Sequence, residues 1–279
     1  MKVAWFTNVP MVMPSQTADG YNGGGWMNAL MEEICSIPSV DLVVFSEGKG
    51  ASVTGEGFEQ RFVSLSADPL TAMFNKLRII FRRPLKVDYL AKIYRSLSVE
   101  LEREMFDVIH IWGTEKSFGL LAKYTAIPTL VHIQGVLNSL QNYLSPNLPI
   151  SFKDYASRRR QLLFWNALSQ IERQVFEVNS VFAGRTEWDR TMVKLLGQVG
   201  ARYLEMQEGL RQPFLDEEKL INSSLVIHES IRLVSVLSPP IYKGLYLIEE
   251  IHSRLERQLD RKINWIVIGT EKHVVGNLK

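Results

Sequence analysis

Short apolar runs recur along the chain, each followed by a polar or glycine-containing turn and then by a stretch with helical spacing. That alternation constrains the fold more than any other feature. Strands separated by helices pair in parallel, through right-handed crossovers that lay helices on both faces of one sheet. Strands are expected at residues 2–7, 40–45, 62–65, 108–111, 129–133 and 181–183. Between them, residues 26–37 carry apolar positions Trp26, Met27, Leu30, Ile34 and Ile37 at helical spacing, and Pro38 stops the run. Helices are further expected at 70–105, broken near Pro84, and at 117–126, 153–178 and 188–196. Thr186 is placed to cap the last of these, with Asp189 completing a capping box.

A change of register near Pro213 and the polar residues 216–219 divides the chain. Residues 1–215 form one complete α/β domain of Rossmann-like type, and residues 216–279 hold a strand at 231–236, a helix at 243–259 and a strand at 264–268. Two strands and one helix are fewer than an independent α/β domain normally needs, so the second domain is expected to be incomplete, as in a shortened chain.

Of the 279 residues, 46% are apolar and 22% charged, an ordinary globular balance. The net charge of +2 is too mild to call for a nucleic-acid partner. A single cysteine, Cys35, excludes an internal disulfide framework and fits a reducing, cytoplasmic compartment. Residues 1–9 lack the pattern of a secretory signal, and no segment approaches the roughly 20 apolar residues of a spanning helix. Any membrane contact would be peripheral, on the inner face. Residues 76–86 suit such a contact, and equally an amphipathic helix packed on the sheet: Lys76, Arg78, Arg82, Arg83 and Lys86 alternate with Leu77, Ile79, Ile80 and Phe81.

Candidate ligand groups follow the strands. Gly23, Gly24 and Gly25 open the first helix, where free N–H groups can meet an anion, although the spacing matches neither a dinucleotide fingerprint nor a Walker loop. Gly113, Thr114 and Glu115 follow one strand, Gln134 and Gly135 the next, and Arg185, Thr186 and Glu187 a third. Parallel strands bring all three sets to one edge, where open α/β sheets bind ligands. His110 and His132 lie within strands, as core or functional residues. No metal-ligand spacing and no nucleophile elbow is present. Lys243 stands at the first turn of a helix after Pro239 and Pro240, a position a cation tolerates best when an anion shares it.

Several of these stretches together resemble one family. They are residues 1–26, 106–113 (Phe-Asp-Val-Ile-His-Ile-Trp-Gly), 133–136 (Ile-Gln-Gly-Val), 182–190 (Phe-Ala-Gly-Arg-Thr-Glu-Trp-Asp-Arg) and 238–245 (Ser-Pro-Pro-Ile-Tyr-Lys-Gly-Leu). In this order they resemble the retaining glycosyltransferases of family 4, also called group 1, which have the GT-B fold of two Rossmann-like domains. The resemblance implies transfer of a sugar from a nucleotide-sugar to a glycan, lipid-linked or polysaccharide-precursor acceptor, with retention and with no cofactor beyond the donor itself. It sets Gly24 and Gly25 near the donor phosphates and Lys243 on the diphosphate. The arginine that often precedes that lysine by six residues is replaced by Leu237, and the family's histidine falls at Gln134, two residues after His132. Gln134 and His132 are thus the catalytic candidates. The family's paired donor-binding glutamates would lie beyond residue 269, so weak donor affinity is expected for residues 1–279 alone. An inactive or split glycosyltransferase fragment, or a peripheral membrane or protein-interaction module, is the alternative.

Overall fold

The computed structural model describes residues 1–11, 25–55, 57–140, 152–209, 231–236, 245–259 and 263–268. These fall into two compact units, residues 1–209 and residues 231–268. In the first unit, β1 (Lys2–Thr7) leads through α1 (Gly25–Cys35) to β2 (Asp41–Glu47). A short hairpin, β3 (Val53–Gly55) and β4 (Phe58–Val63), precedes α2 (Pro69–Ile80) and α3 (Asp88–Arg103). Then come β5 (Val108–Trp112), a 3₁₀ helix (Ser117–Lys123), β6 (Thr129–His132) and the one-turn α4 (Leu137–Leu140). The unit closes with α5 (Phe152–Val178), β7 (Val181–Gly184), α6 (Glu187–Leu196) and β8 (Arg202–Glu205).

The eight strands form one sheet in the order β3-β4-β2-β1-β5-β6-β7-β8, parallel except for β3. The chain winds outward from β1 in one direction and, after β4, resumes at β5 on the other side. The order therefore reverses between β1 and β5, and that crevice is where doubly wound sheets receive ligands. The expected strand at 62–65 lies earlier, at Phe58–Val63, and its antiparallel partner and the edge strand Arg202–Glu205 are additional. Arg61 explains the shift: it sits inside β4 because Glu59, Glu100 and Glu104 surround its guanidinium.

The central strands are apolar on both faces because both faces are covered. Met27 and Met31 of α1 pack with Val3, Trp5, Leu42, Val44 and Trp112 on one side. On the other, Phe6 stacks on Phe45 at 4.8 Å, and Leu90, Tyr94, Leu97 and Leu101 bury one stripe of α3 against them. Each such side chain taken fully from water contributes about 1.5–3 kcal/mol. Gly119 lets the 3₁₀ helix lie against α5, since a Cβ there would meet Val175 Cγ1 at 2.3 Å. At α6 the capping box forms as the spacing implies: Thr186 Oγ1 accepts from the Asp189 N–H, and the Asp189 carboxylate accepts from the Thr186 N–H.

The second unit is a βαβ element. β9 (Ile231–Val236) pairs in parallel with β10 (Ile263–Ile268), and α7 (Leu245–Leu259) connects them. Ile248 and Ile263 are buried, and Trp265 Nε1 donates to Ser235 Oγ at 3.0 Å. Among the described residues no helix is long and apolar enough to cross a membrane.

Candidate functional site

The carboxyl ends of β1, β2, β5, β6, β7 and β8 share one edge, and a line of polar contacts runs along it. At the reversal point, Gly113 takes φ +97°, a left-handed value that favours glycine. A Cβ there would lie 2.1 Å from Glu115 Oε2 and 2.7 Å from Asn8 Nδ2. The bare glycine thus leaves the space in which the Glu115 carboxylate rests, accepting from Asn8 Nδ2 at 3.4 Å. Burial pushes the Glu115 carboxyl up from its ordinary value near 4.5 to about 7. The nearby charge of Glu172 adds to the rise, and backbone N–H groups and Lys116 oppose it. Lys116 itself pairs with Glu47 at the end of β2 and lies 3.5 Å from the Asn8 carbonyl.

Next along the edge, Thr114 Oγ1 lies 2.9 Å from the Gly135 carbonyl and 2.7 Å from Glu172 Oε1. Glu172 projects from α5 and is fully buried. It accepts from the backbone N–H groups of Leu137 and Asn138 at 3.0 and 2.8 Å and from Asn138 Nδ2 at 2.8 Å. One buried carboxylate thereby fixes the loops after β5 and β6 to each other and caps α4. Sequence reading passed over Glu172. Its signal was a carboxylate in the apolar stripe Leu168, Ile171, Val175 and Phe176 of a helix.

The third set is held by Arg185. Its Nη1 donates to Glu208 Oε1 at 2.6 Å and its Nη2 to the Gln134 carbonyl at 3.3 Å, while its backbone N–H donates to Asp189 Oδ2 at 2.9 Å. The loops after β6, β7 and β8 therefore meet at this guanidinium. Thr186 is occupied in capping α6. Glu187 is 80% exposed and pairs with Arg190 at 3.1 Å.

His132, the last residue of β6, is fully buried and stacks on Trp112 with ring centroids 4.5 Å apart. Trp5 and Trp26 continue this aromatic group around Trp112, and His110 lies 4.1 Å from it. Burial, helped by the Arg185 charge, pulls His132 down to about 4, and burial pulls His110 down to about 3, so both are neutral at pH 7. Neither ring nitrogen of His132, nor Gln134 Nε2, finds a hydrogen-bond partner among the described residues. Gly25 opens α1, whereas Gly24 and Lys243 lie outside the described residues.

Two cavities lie off this edge. One of about 270 Å³ is lined by Ser52, Glu59, Arg61, Leu97 and Glu100 on the β2–β4 flank, where Arg61 is already saturated by carboxylates. The other, about 440 Å³, opens beside Met31, Cys35, Gly57 and Phe58, at the amino end of β4.

No protein-family model matches the chain, and no curated protein matches it. Solved structures similar to it include sucrose-phosphate synthase from Thermosynechococcus elongatus, 12% identical over 99% of this chain and 72% of that one, with a TM-score of 0.46. UGT2 of Phytolacca americana, complexed with UDP-2fluoro-glucose and pterostilbene, is 12% identical over 100% of this chain and 69% of its own, with a TM-score of 0.45. Os79 from O. sativa in complex with UDP is 12% identical over 99% and 70%, with a TM-score of 0.47.

Proposed function

We propose that the chain is a glycosyltransferase that moves a sugar from a nucleoside diphosphate donor to a hydroxyl group of a glycan, lipid-linked or polysaccharide-precursor acceptor. The observation that carries this reading is the Glu115 carboxylate, seated over Gly113 beside Asn8 in the crevice where the strand order reverses. A carboxyl with a pKa of about 7 suits proton transfer at neutral pH, because it both accepts and releases a proton readily.

In the proposed reaction the bond between the anomeric carbon and the β-phosphate oxygen breaks. The acceptor oxygen bonds to that carbon on the same face from which the diphosphate departs, and its proton passes to Glu115. Retention of anomeric configuration is carried over from the sequence resemblance at residues 182–190 and 238–245. Lys243, which the sequence resemblance sets on the diphosphate, would stabilise the charge that develops on that departing group. Gln134 and Arg185 border the sugar-receiving edge, and His132 supports it from below as a neutral ring. The compartment in this reading is the cytoplasm, where nucleotide-sugars are the donor substrates.

The test combines donor binding and turnover with UDP- and GDP-sugars. Saturation-transfer NMR is expected to show weak, roughly millimolar binding, about −4 kcal/mol, with Lys243→Ala weakening it further. Glu115→Gln is expected to lower transfer by about 10²–10⁴-fold while leaving that binding in place. Unchanged binding in Lys243→Ala removes the diphosphate assignment, and unchanged transfer in Glu115→Gln removes the proton acceptor.

A further inference from the structure

α2 buries none of its residues. Leu70, Met73, Phe74, Leu77, Ile80 and the capping residue Phe81 are 44–69% exposed. At 3.6 residues per turn these six side chains fall within an arc of about 120°. They form one apolar stripe, with Lys76 beyond one margin and Arg78 beyond the other. α2 also contacts α5.

The chain that follows folds back along the helix, with Pro84 held at Arg78 on one margin of the stripe and Lys86 at Asn75 on the side away from it. Asn75 Nδ2 donates to the Lys86 carbonyl at 3.0 Å, and the Lys86 N–H donates to Asn75 Oδ1 at 2.8 Å. Arg78 Nε donates to the Pro84 carbonyl. Arg82 adopts φ +51°, which turns the chain back sharply after the helix. This clasp folds residues 81–86 back onto α2, with Arg82 and Arg83 at its carboxyl end and Lys86 beside Asn75. Lys76, Arg82, Arg83 and Lys86 are exposed, and none forms an ion pair with a carboxylate among the described residues.

We infer that α2 and residues 81–86 form a docking surface for an anionic lipid bilayer. The stripe lies along the headgroup boundary with its leucine, methionine and phenylalanine side chains inserted, and the cations meet lipid phosphates around it. Charge complementarity selects this occupant. The stripe is flanked by Lys76, Arg78, Arg82 and Arg83, and the carboxylates nearest in sequence are Asp68 at the start of α2 and Asp88 at the start of α3, a single-sign setting that suits anionic headgroups. The inference does not depend on the sugar-transfer reading.

Co-sedimentation of the full 279-residue chain with vesicles tests it. The chain is expected to bind vesicles containing phosphatidylglycerol, to bind pure phosphatidylcholine far less, and to be released by high salt. Arg82→Glu combined with Arg83→Glu should weaken anionic binding more than about ten-fold. Leu77→Ser combined with Phe81→Ser should weaken it comparably, as should Leu70→Ser combined with Phe81→Ser. Equal binding to both kinds of vesicle, or binding that survives both apolar variants, overturns the inference. So does a dimer in solution that the apolar variants disperse, since the stripe would then cover a second copy of the chain.

Discussion

Replacing Glu172 with alanine should unfold the first unit at a markedly lower temperature, and the size of the shift follows from the groups left behind. The carboxylate satisfies four donors, but two of them have alternatives. Thr114 Oγ1 can turn fully to the Gly135 carbonyl, and Asn138 Nδ2 also reaches the Ser169 carbonyl at 2.9 Å. The backbone N–H groups of Leu137 and Asn138 have no such recourse in the observed contacts. Each buried donor stranded this way costs about 1–3 kcal/mol, so the loss is about 3–5 kcal/mol once the cavity is included. An unfolding entropy of about 2.1 cal/mol/K per residue over roughly 200 residues gives about 0.4 kcal/mol/K, and therefore a Tm lower by about 7–12 °C. Differential scanning calorimetry measures it directly. Glu172→Gln, which keeps one acceptor oxygen, should fall between wild type and Glu172→Ala. Glu177→Ala, an exposed site on the same helix, should shift Tm by about 1 °C or less. A Glu172→Ala variant as stable as Glu177→Ala would refute the assignment of this carboxylate as the tie between the β5 and β6 loops.

Two further outcomes concern the crevice. Gly113→Ala places a methyl group where the Glu115 carboxylate rests and forces a side chain onto a left-handed backbone; the cost is about 1–3 kcal/mol in stability. Its transfer rate should fall with that of Glu115→Gln, and a fully active Gly113→Ala would show that the carboxylate position is immaterial. Glu115 also shapes the pH profile of unfolding. Its carboxyl is raised on folding, so its stabilising contribution is complete below pH 4.5 and is lost as pH rises through about 7. His110 and His132 are lowered, so theirs is complete above pH 6.5 and is lost as pH falls toward 4 and 3. Between pH 4.5 and 6.5 the two kinds of group oppose each other. Glu115→Gln removes the opposing slope, and stability should then climb more steeply with pH, by about 1.4 kcal/mol per unit. Denaturant titrations across that range would contradict this if the slope were unchanged or shallower.

The parallel sheet was legible because its central strands are apolar on both faces, a pattern that survives without any knowledge of neighbours. β4 was harder to place, since Glu59, Gln60 and Arg61 interrupt its apolar character and only the carboxylates of α3 make Arg61 tolerable there. β8 is a four-residue edge strand whose ends, Arg202 and Glu205, look like loop. At the edge, Glu115, Gln134, Gly135 and Arg185 were visible as residues that follow strands. Asn8 and Glu172 were not, because their roles arise from contacts 107 and 34–58 residues away in sequence. The depressed basicity of His132 likewise depends on an aromatic group assembled from three strands and a helix. Exposure of the α2 stripe could not be read from its periodicity, which a helix packed on the sheet would share.

The central claim is that the loops after β1, β5, β6 and β7 make one ligand-receiving edge. Amide chemical shifts of the chain, recorded while a UDP- or GDP-sugar and a hydroxyl acceptor are titrated in, test it most directly. The account predicts saturable changes grouped at Gly113, Thr114, Glu115, Gln134, Gly135 and Arg185. Changes confined to the flank around Arg61, or an absence of saturable change anywhere at millimolar ligand, would contradict it.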